Sequence, residues 1–174
     1  MAKLEKAYVQ VYTGEGKGKT TAAIGLAMRA IGAGLKVFIL QFIKMGEYSE
    51  IKSLRKFPED ITIEQFGCGC FTGKPAHEDI LPAQAGLERV KEIISSGKYD
   101  VVILEEANVA VKKNLFSEQD LLDIIDLRPP TVELVITGRG ATTKVIDKAN
   151  LVTEMIPIKH YFKEGIKARI GIEK

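Results

Sequence analysis

A glycine-rich loop between the first predicted strand and the first predicted helix constrains the fold more than any other feature of this chain. The strand pattern covers residues 7–12, and an amphipathic helix pattern covers residues 19–33. Between them the chain reads Thr13-Gly14-Glu15-Gly16-Lys17-Gly18-Lys19-Thr20. Glycines at alternating positions let backbone N–H groups turn inward around phosphate oxygens, where side chains would obstruct them. A strand, a loop and a helix in this order predict an α/β domain that binds phosphate groups.

The start of this helix carries the groups that a nucleoside triphosphate needs, and we expect that triphosphate to be ATP. Unpaired N–H groups and the positive end of the helix dipole attract anions there. Lys19 adds a full positive charge, and Thr20 offers a hydroxyl to Mg²⁺. The residues expected to contact the nucleotide in this region are Thr13, Gly14, Glu15, Gly16, Lys17, Gly18, Lys19, Thr20 and Thr21.

Two details of the loop leave alternatives open. The pattern G-x-x-x-x-G-K-[ST] has a glycine where this chain has Thr13, so a chance turn between strand and helix is the competing interpretation. Lys17, inside the loop, is either a second phosphate contact or a solvated side chain.

Short apolar runs rich in β-branched residues alternate with helix-length amphipathic stretches along the rest of the chain. Further strands are predicted at residues 36–42, 61–65, 99–104, 132–137 and 151–155. Further helices are predicted at residues 47–56, 82–96, 117–126 and 142–148, with Pro82 in the first turn of one and Ser117 capping another. The alternation predicts a single doubly wound α/β domain over residues 1–174, with a mostly parallel sheet covered by helices on both faces.

Composition and charge argue against several classes of protein. A net charge of +2 is too small to imply a nucleic-acid partner. The longest apolar runs are far too short to span a bilayer, and no signal-peptide pattern precedes the first strand. Cys68 and Cys70 are too close in sequence for an unstrained disulfide, so we expect free thiols. These features predict a cytoplasmic protein with no nucleic-acid or membrane partner.

Two carboxylates follow the buried strand pattern at residues 99–104. Glu105 and Glu106 would lie at the carboxyl edge of the sheet, where ligands bind in open α/β folds. An acid at the end of a strand near a phosphate loop completes the Mg²⁺ shell, whereas the alternative is a solvated acidic turn. Because neighbouring strand residues point to opposite faces, we expect only one of the two to face the nucleotide squarely.

These motifs alone leave kinases, ATP-driven motors and ligases open, but the rest of the chain narrows the choice. From about Val9 to the C-terminus, the sequence resembles the phosphate-loop type of ATP:corrinoid adenosyltransferase, an enzyme of the cobalamin pathway. The resemblance rests on four segments in order, residues 13–23, 41–44, 136–140 and 159–172. It implies a P-loop NTPase-like (RecA-like) fold.

The resemblance also implies a reaction. The enzyme family transfers the 5′-deoxyadenosyl group of ATP to the cobalt(I) of a reduced corrinoid and releases triphosphate, with the nucleotide reversed in the phosphate loop relative to ordinary ATPases. ATP as adenosyl donor and Mg²⁺ are the implied cofactors. The implied partners are a corrinoid (cobalamin or a precursor), an electron-donating reductase and a second copy of the chain in a homodimer.

The resemblance assigns roles to individual residues on the nucleotide side. Glu106 lines up with the metal-binding glutamate of the family, and Glu105 stands where the family usually has aspartate. Arg29 matches an arginine near the nucleoside, or else it is a surface helix charge. Lys159 and His160 match a segment beside the adenine, although a lone histidine is often only polar surface.

Two further residues lie in loops. Arg139, just past the predicted strand 132–137, is either a nucleotide contact or a structural ion-pair partner. Phe71 corresponds to an aromatic residue below the cobalt, but the tryptophan that accompanies it in the family is absent. Phe71 is therefore either a catalytic residue that crowds the lower face of the cobalt or a buried loop anchor, and Lys19 is the other residue to which the resemblance gives a catalytic role.

The residues leave two alternatives to adenosyl transfer. One is an ATPase or kinase that cleaves the terminal phosphate, with Glu106 orienting a water or a hydroxyl acceptor. The other is an interaction module that switches with bound ATP and performs no turnover.

Overall fold

The computed structural model describes residues 4–69 and 75–174, in which six strands form one sheet. In chain order, strands β1 to β6 are Val9–Thr13, Val37–Gln41, Ile61–Gln65, Val101–Glu105, Glu133–Thr137 and Leu151–Glu154. Their order across the sheet is β3-β2-β4-β5-β1-β6, and every pairing is parallel. Parallel neighbours need crossover connections, and the helices of the chain provide them.

Six α-helices connect or flank these strands. In chain order, helices α1 to α6 are Lys19–Gly32, Ser49–Leu54, His77–Ser95, Ala107–Lys112, Glu118–Leu127 and Thr143–Lys148. A short 3-10 helix, Tyr161–Glu164, follows β6. None of the helices within the described ranges is long and apolar enough to cross a bilayer.

The side chains of each inner strand pack into two separate cores, one on each face of the sheet. Phe38 and Leu40 of β2 lie in the core shared with α3, α4, α5 and α6, whereas Val37 and Ile39 lie in the core shared with α1 and α2. This is the period of two expected for a strand buried on both faces. The predicted doubly wound sheet with helices on both faces is therefore confirmed.

The start of α3 differs from the prediction. The helix begins at His77, so Pro82 lies inside it and the expectation of a first-turn proline is wrong. Proline has no N–H to donate to the carbonyl four residues earlier, that of Glu78. The thiol of Cys68 donates to that oxygen instead, with Sγ 2.9 Å from it. A thiol from the preceding loop thus satisfies the carbonyl that Pro82 leaves free.

Two other helix starts bear on the predictions. Ser117 caps α5 as expected, since its hydroxyl accepts the N–H of Asp120 and its own N–H donates to the Asp120 carboxylate at 2.7 Å. Helix α4 was not predicted. It begins directly after β4, and its first residues lie at the edge of the sheet where the site forms.

Candidate active site

A cavity of about 790 Å³ opens at the carboxyl ends of the central strands. The loop between β1 and α1 forms one side of it, and side chains after β2, β4 and β5 form another. Nine of the predicted site residues line this cavity: Gly16, Lys17, Gly18, Lys19, Thr20, Thr21, Glu106, Arg139 and His160. The fold therefore brings together predicted residues from four separate parts of the sequence.

Lys19 lies at the centre of the loop and is buried. Its ammonium group donates to the backbone oxygens of Gly14 and Gly16, each at 2.7 Å. Burial, together with the positive charge of Arg139, places the pKa of Lys19 below its ordinary value, while Glu106 and other nearby acids oppose this shift. A cation held by two neutral carbonyls can exchange them for phosphate oxygens, which bind it more strongly.

The end of β6 packs directly against the loop. The Gly16 N–H donates to the Met155 oxygen at 2.6 Å, and the Met155 N–H donates to the Thr13 oxygen at 2.9 Å. A Cβ atom added at Gly14 or Gly16 would lie 2.5 or 2.6 Å from the Met155 oxygen. These two glycines are thus required by the neighbouring backbone, in addition to the approach of phosphates.

Thr13 stands where the usual pattern has glycine, and the structure explains why a side chain fits there. Thr13 is still the last residue of β1, and its hydroxyl accepts the N–H of Ala141 at 3.2 Å. The turn itself begins at Gly14, whose φ of 92° favours glycine. The loop therefore enters its turn one residue later than the pattern suggests.

Glu105, the last residue of β4, is only 2% exposed. Its carboxylate accepts hydrogen bonds from the hydroxyls of Thr20 and Thr137, the latter at 2.7 Å. The ammonium of Lys44 lies 3.7 Å from the same carboxylate. Glu105 thus connects the start of α1 to the ends of β2 and β5 through polar contacts.

Glu106 follows the strand in a left-handed conformation, with φ 61° and ψ 19°. Its N–H donates to the Thr137 hydroxyl at 3.0 Å, and its side chain lines the cavity. Burial and the neighbouring charge of Glu105 raise the pKa of Glu106 above its ordinary value, against the opposing charges of Lys44, Lys19 and Arg139. The alternation rule for strands does not apply to Glu106 because its backbone has left the strand.

The oxygen atoms around Thr20 fit a magnesium ion. Mg²⁺ prefers hydroxyl and carboxylate oxygens and is usually held by one or two carboxylates together with substrate phosphates. Thr20 and Glu105 are in direct contact, and Glu106 lines the same cavity. Among residues 4–69 and 75–174 no group of three or more His, Cys, Asp or Glu side chains could hold a metal by itself. Phosphate or water oxygens would therefore have to complete the shell.

Arg139 and Glu15 form an ion pair across the entrance to the loop. Their side chains are 3.2 Å apart at Nη1 and Oε2, and each is more than half exposed. Arg139 also lines the cavity. Both interpretations of Arg139 thus remain compatible with its position, because an exposed ion pair is weak and easily exchanged for a phosphate.

The segment after β6 holds the two predicted adenine neighbours. His160 accepts the Phe162 N–H at Nδ1, 3.2 Å away, and lines the main cavity. Lys159 lines instead a smaller adjoining cavity of about 280 Å³, which also includes His160 and the loop residues Gly16 and Lys17. The two cavities therefore meet at the phosphate loop.

Six predicted residues in the described part of the chain do not line the main cavity, namely Thr13, Gly14, Glu15, Arg29, Glu105 and Lys159. Arg29 is exposed on α1, where its charge acts on Tyr12 of β1, and it is not among the cavity-lining residues. Phe71 falls outside the described residues. The roles of Arg29 and Phe71 stay predictions.

Comparison with known proteins assigns the chain to a family. The family model described as ATP:corrinoid adenosyltransferase BtuR/CobO/CobP matches residues 5–173. The chain belongs to the ATP:corrinoid adenosyltransferase family.

Curated relatives agree with this assignment. A corrinoid adenosyltransferase of Pseudomonas aeruginosa is 36% identical, covering 99% of this chain and 86% of the relative. Corrinoid adenosyltransferase CobA of Salmonella typhimurium is 33% identical, over 99% of this chain and 88% of the relative. A corrinoid adenosyltransferase of Escherichia coli K12 is 32% identical, covering 97% and 86%.

The predictions from sequence missed three residues of this adenosyltransferase-family site. Lys44 and Thr137 contact Glu105, and Met155 packs on the glycines of the loop. Lys44 and Thr137 each stand at or just past the end of an apolar strand, so the rule that located Glu105 could also have located them. Met155 gives no such signal, since its contact depends on the pairing of β6 with β1.

Proposed function

We propose that this protein transfers the 5′-deoxyadenosyl group of ATP to the cobalt(I) of a reduced corrinoid and releases inorganic triphosphate. The family match over residues 5–173 carries the choice of reaction, because a triphosphate cavity alone would suit phosphoryl transfer equally well. The cavity at the phosphate loop supports it by supplying a place for the triphosphate. One sheet with helices on both faces supports a single nucleotide-binding domain over residues 1–174.

The proposed step balances without an added acid or base. The electron pair of cobalt(I) attacks the 5′ carbon of ATP, a cobalt–carbon bond forms, and the bond from that carbon to oxygen breaks. The electron pair of the broken bond leaves with the triphosphate, and the cobalt is formally oxidised from +1 to +3. The protein therefore has two tasks, which are to align the 5′ carbon with the cobalt and to stabilise the leaving charge.

The residues around the loop supply that stabilisation. Lys19 would exchange the carbonyls of Gly14 and Gly16, to which it donates, for phosphate oxygens. Because the Gly16 N–H is already bonded to Met155, the amides closer to the start of α1 are left for the phosphates. Lys44, in the loop after β2, adds a further positive charge within the cavity.

Mg²⁺ would be held by Thr20, Glu105 and Glu106 together with phosphate oxygens. A bound magnesium ion supplies Lewis-acid stabilisation of the departing triphosphate. Of the two acids, Glu105 is already fixed by the hydroxyls of Thr20 and Thr137, so it is suited to orient the shell. Glu106 lines the open cavity and is the acid more directly available to a ligand.

The corrinoid side of the site rests on the family resemblance. Phe71 would crowd the lower face of the cobalt, and Arg29, Lys159 and His160 would contact the nucleoside. Cobalt(I) needs an electron-donating reductase and survives in a reducing compartment such as the cytoplasm. Strand β6 is an edge strand that exposes Leu151 and Val152, which supports a homodimer formed with a second copy of this chain.

Product analysis tests the proposal. The protein is incubated with ATP, Mg²⁺ and a chemically reduced corrinoid, so that no reductase is required. We expect inorganic triphosphate and a light-sensitive alkylated corrinoid in equal amounts. ADP with orthophosphate would indicate phosphoryl transfer, and unchanged ATP with tight binding would indicate an interaction module.

A further inference from the structure

We propose that the C-terminal turn, residues 169–174, is a wall of the ATP cavity, and that Tyr161, Arg169 and Glu173 are positioning residues that hold it in place. This inference rests on the proposed function, since it concerns the same ATP cavity. The three residues act on ATP through the turn rather than through the reacting atoms.

The turn bridges two sides of the cavity. Lys17 of the phosphate loop donates from Nζ to the Ile172 oxygen at 2.9 Å. Ser49, the first residue of α2, donates from its hydroxyl to the Lys174 oxygen at 3.0 Å. Residues 171–174 line the cavity between these two contacts. The turn thus extends from the loop that is expected to bind phosphates to the helix on the other side.

The backbone of the turn closes on itself. The N–H groups of Ile172, Glu173 and Lys174 lie 3.3, 3.0 and 3.2 Å from the Arg169 oxygen. The Gly171 N–H donates to the Lys174 oxygen at 2.6 Å, and the φ of 78° at Gly171 favours glycine. These hydrogen bonds make the turn a compact unit, so a change in its position should involve all of its residues together.

A cluster of three side chains attaches this unit to the 3-10 helix. The Glu173 carboxylate accepts the backbone N–H of Arg169 at 2.9 Å and its guanidinium at 3.1 and 3.3 Å. The Tyr161 hydroxyl donates to the same carboxylate, and the guanidinium lies 5.1 Å from the Tyr161 ring centroid. Tyr161 directly follows His160, which lines the cavity, so the cluster fixes the turn relative to a predicted nucleoside contact.

The ionisation states of the cluster match its hydrogen bonds. Arg169 and then Tyr161 lower the pKa of Glu173 to about 2, so its carboxylate is charged near neutral pH. The bond to Glu173 raises the pKa of Tyr161, so its hydroxyl keeps the proton that it donates. The cluster is therefore assembled under the conditions in which an ATP-dependent enzyme works.

Polar contacts rather than a core hold the turn. Ile170 is 83% exposed and Ile172 is 55% exposed, so the apolar side chains of the turn contribute little burial. Loss of one polar contact should therefore shift the position of the turn without unfolding the sheet. An effect on ATP binding with little effect on the chemical step is the expected consequence.

Steady-state kinetics with ATP as the varied substrate test this inference. Glu173→Gln weakens the ion pair, and we expect the KM for ATP to rise about 3- to 10-fold while kcat changes by less than about twofold. Glu164→Gln is the matched control, because it removes the same charge from an exposed carboxylate in the 3-10 helix. Tyr161→Phe removes only the hydroxyl and should shift KM in the same direction. A KM for Glu173→Gln equal to that of the control would overturn the inference.

Tryptic cleavage after Arg169 gives a second readout that does not depend on turnover. In the wild-type protein, saturating ATP with Mg²⁺ should slow this cleavage, because the nucleotide rests against the turn. Glu173→Gln should accelerate cleavage in the absence of ATP, with thermal melting run alongside to verify the fold. ATP binding without protection of Arg169 would overturn the inference alone, whereas failure to form an alkylated corrinoid would count against the proposed function instead.

Discussion

The two sides of the ATP cavity are built in different ways. On the phosphate side, Glu105 ends a strand that is buried along its whole length, and it is itself only 2% exposed. On the C-terminal side, the segment after β6 is mostly exposed, and Ile158 is 95% exposed. The residues proposed to bind triphosphate and Mg²⁺ thus lie at the edge of a sheet packed on both faces, whereas the wall proposed to border the nucleotide depends on a few surface contacts.

This difference suits the role proposed for each side. Electrostatic stabilisation requires groups that are already oriented, and a buried sheet with two packed cores provides such rigidity. Binding and release of substrates require a boundary that can move, which a segment with little buried apolar surface provides. Substitutions on the phosphate side should therefore affect chemistry and stability strongly, and those on the C-terminal side should affect mainly ATP affinity.

The largest effect is expected at Lys19. In Lys19→Ala the charge at the centre of the loop is lost, and the affinity for ATP should fall by on the order of 100-fold, since hydrogen bonds to a charged group contribute about 1.5–3 kcal/mol. Lys17→Ala is the matched control, because the exposed Lys17 donates to the Ile172 oxygen. This substitution should lower the affinity for ATP less than about tenfold. Titration with a fluorescent ATP analogue measures both. Equal losses of ATP affinity in the two variants would show that the buried Lys19 contributes no more to ATP binding than the exposed Lys17 does.

At Glu106 we expect activity and stability to change in opposite directions. Glu106→Gln removes a carboxylate from the proposed magnesium site, so turnover at limiting Mg²⁺ should fall at least about tenfold. The same change removes a partly buried charge beside Glu105, so the melting temperature at pH 7 should rise, by about 2–4 °C for each kcal/mol relieved. Glu105→Gln, which disturbs the bonds from Thr20 and Thr137, should lower the melting temperature instead.

The pH dependence of this stability difference has a definite sign. The pKa of Glu106 is raised in the folded state, so the folded protein binds its proton more tightly than the unfolded chain does. The wild-type protein therefore recovers stability as pH falls through the folded-state pKa towards the ordinary glutamate value of 4.5. The advantage of Glu106→Gln should shrink over that range in calorimetric melts. A variant that melts below wild type at pH 7 would contradict this explanation.

A comparison of two glycines, one in the loop and one in α1, includes the smallest effect, which is expected at Gly25. Gly16→Ala places a Cβ atom 2.6 Å from the Met155 oxygen, and we expect it to destabilise the fold by about 1–3 kcal/mol. In Gly25→Ala, within α1, the new methyl group meets nothing within 4 Å and should stabilise the helix by roughly 0.5–1 kcal/mol. Urea unfolding of both variants measures the two changes. Similar changes in the free energy of unfolding for both variants would mean that β6 does not constrain the loop.

Local patterns predicted the parts of the site that lie on single strands and helices. The apolar runs located all six strands to within two residues at each end, and the glycine-rich loop and the acids Glu105 and Glu106 fell at the expected edge of the sheet. Those predictions succeeded because a strand buried on both faces and a glycine-rich turn each give a signal in consecutive residues.

The parts that could not be predicted depend on residues distant in the chain. Helix α3 begins before Pro82, and the Glu78 carbonyl that the proline leaves free accepts a hydrogen bond from the Cys68 thiol of the preceding loop, a contact that no helix-start rule anticipates. The contact of Met155 with the loop glycines and the bond from Lys17 to Ile172 join segments more than 130 residues apart. Such contacts depend on strand order or on the path of the chain after the last strand, and neither is visible in local periodicity.

The fate of the 5′ carbon of ATP tests the proposed function most directly. ATP labelled with ¹³C at that carbon is incubated with the protein, Mg²⁺ and a chemically reduced corrinoid, and the products are followed by carbon and phosphorus NMR. Adenosyl transfer places the label on a carbon bonded to cobalt and releases one triphosphate for each cobalt alkylated. Label that stays in ADP or AMP while phosphate is released would contradict it.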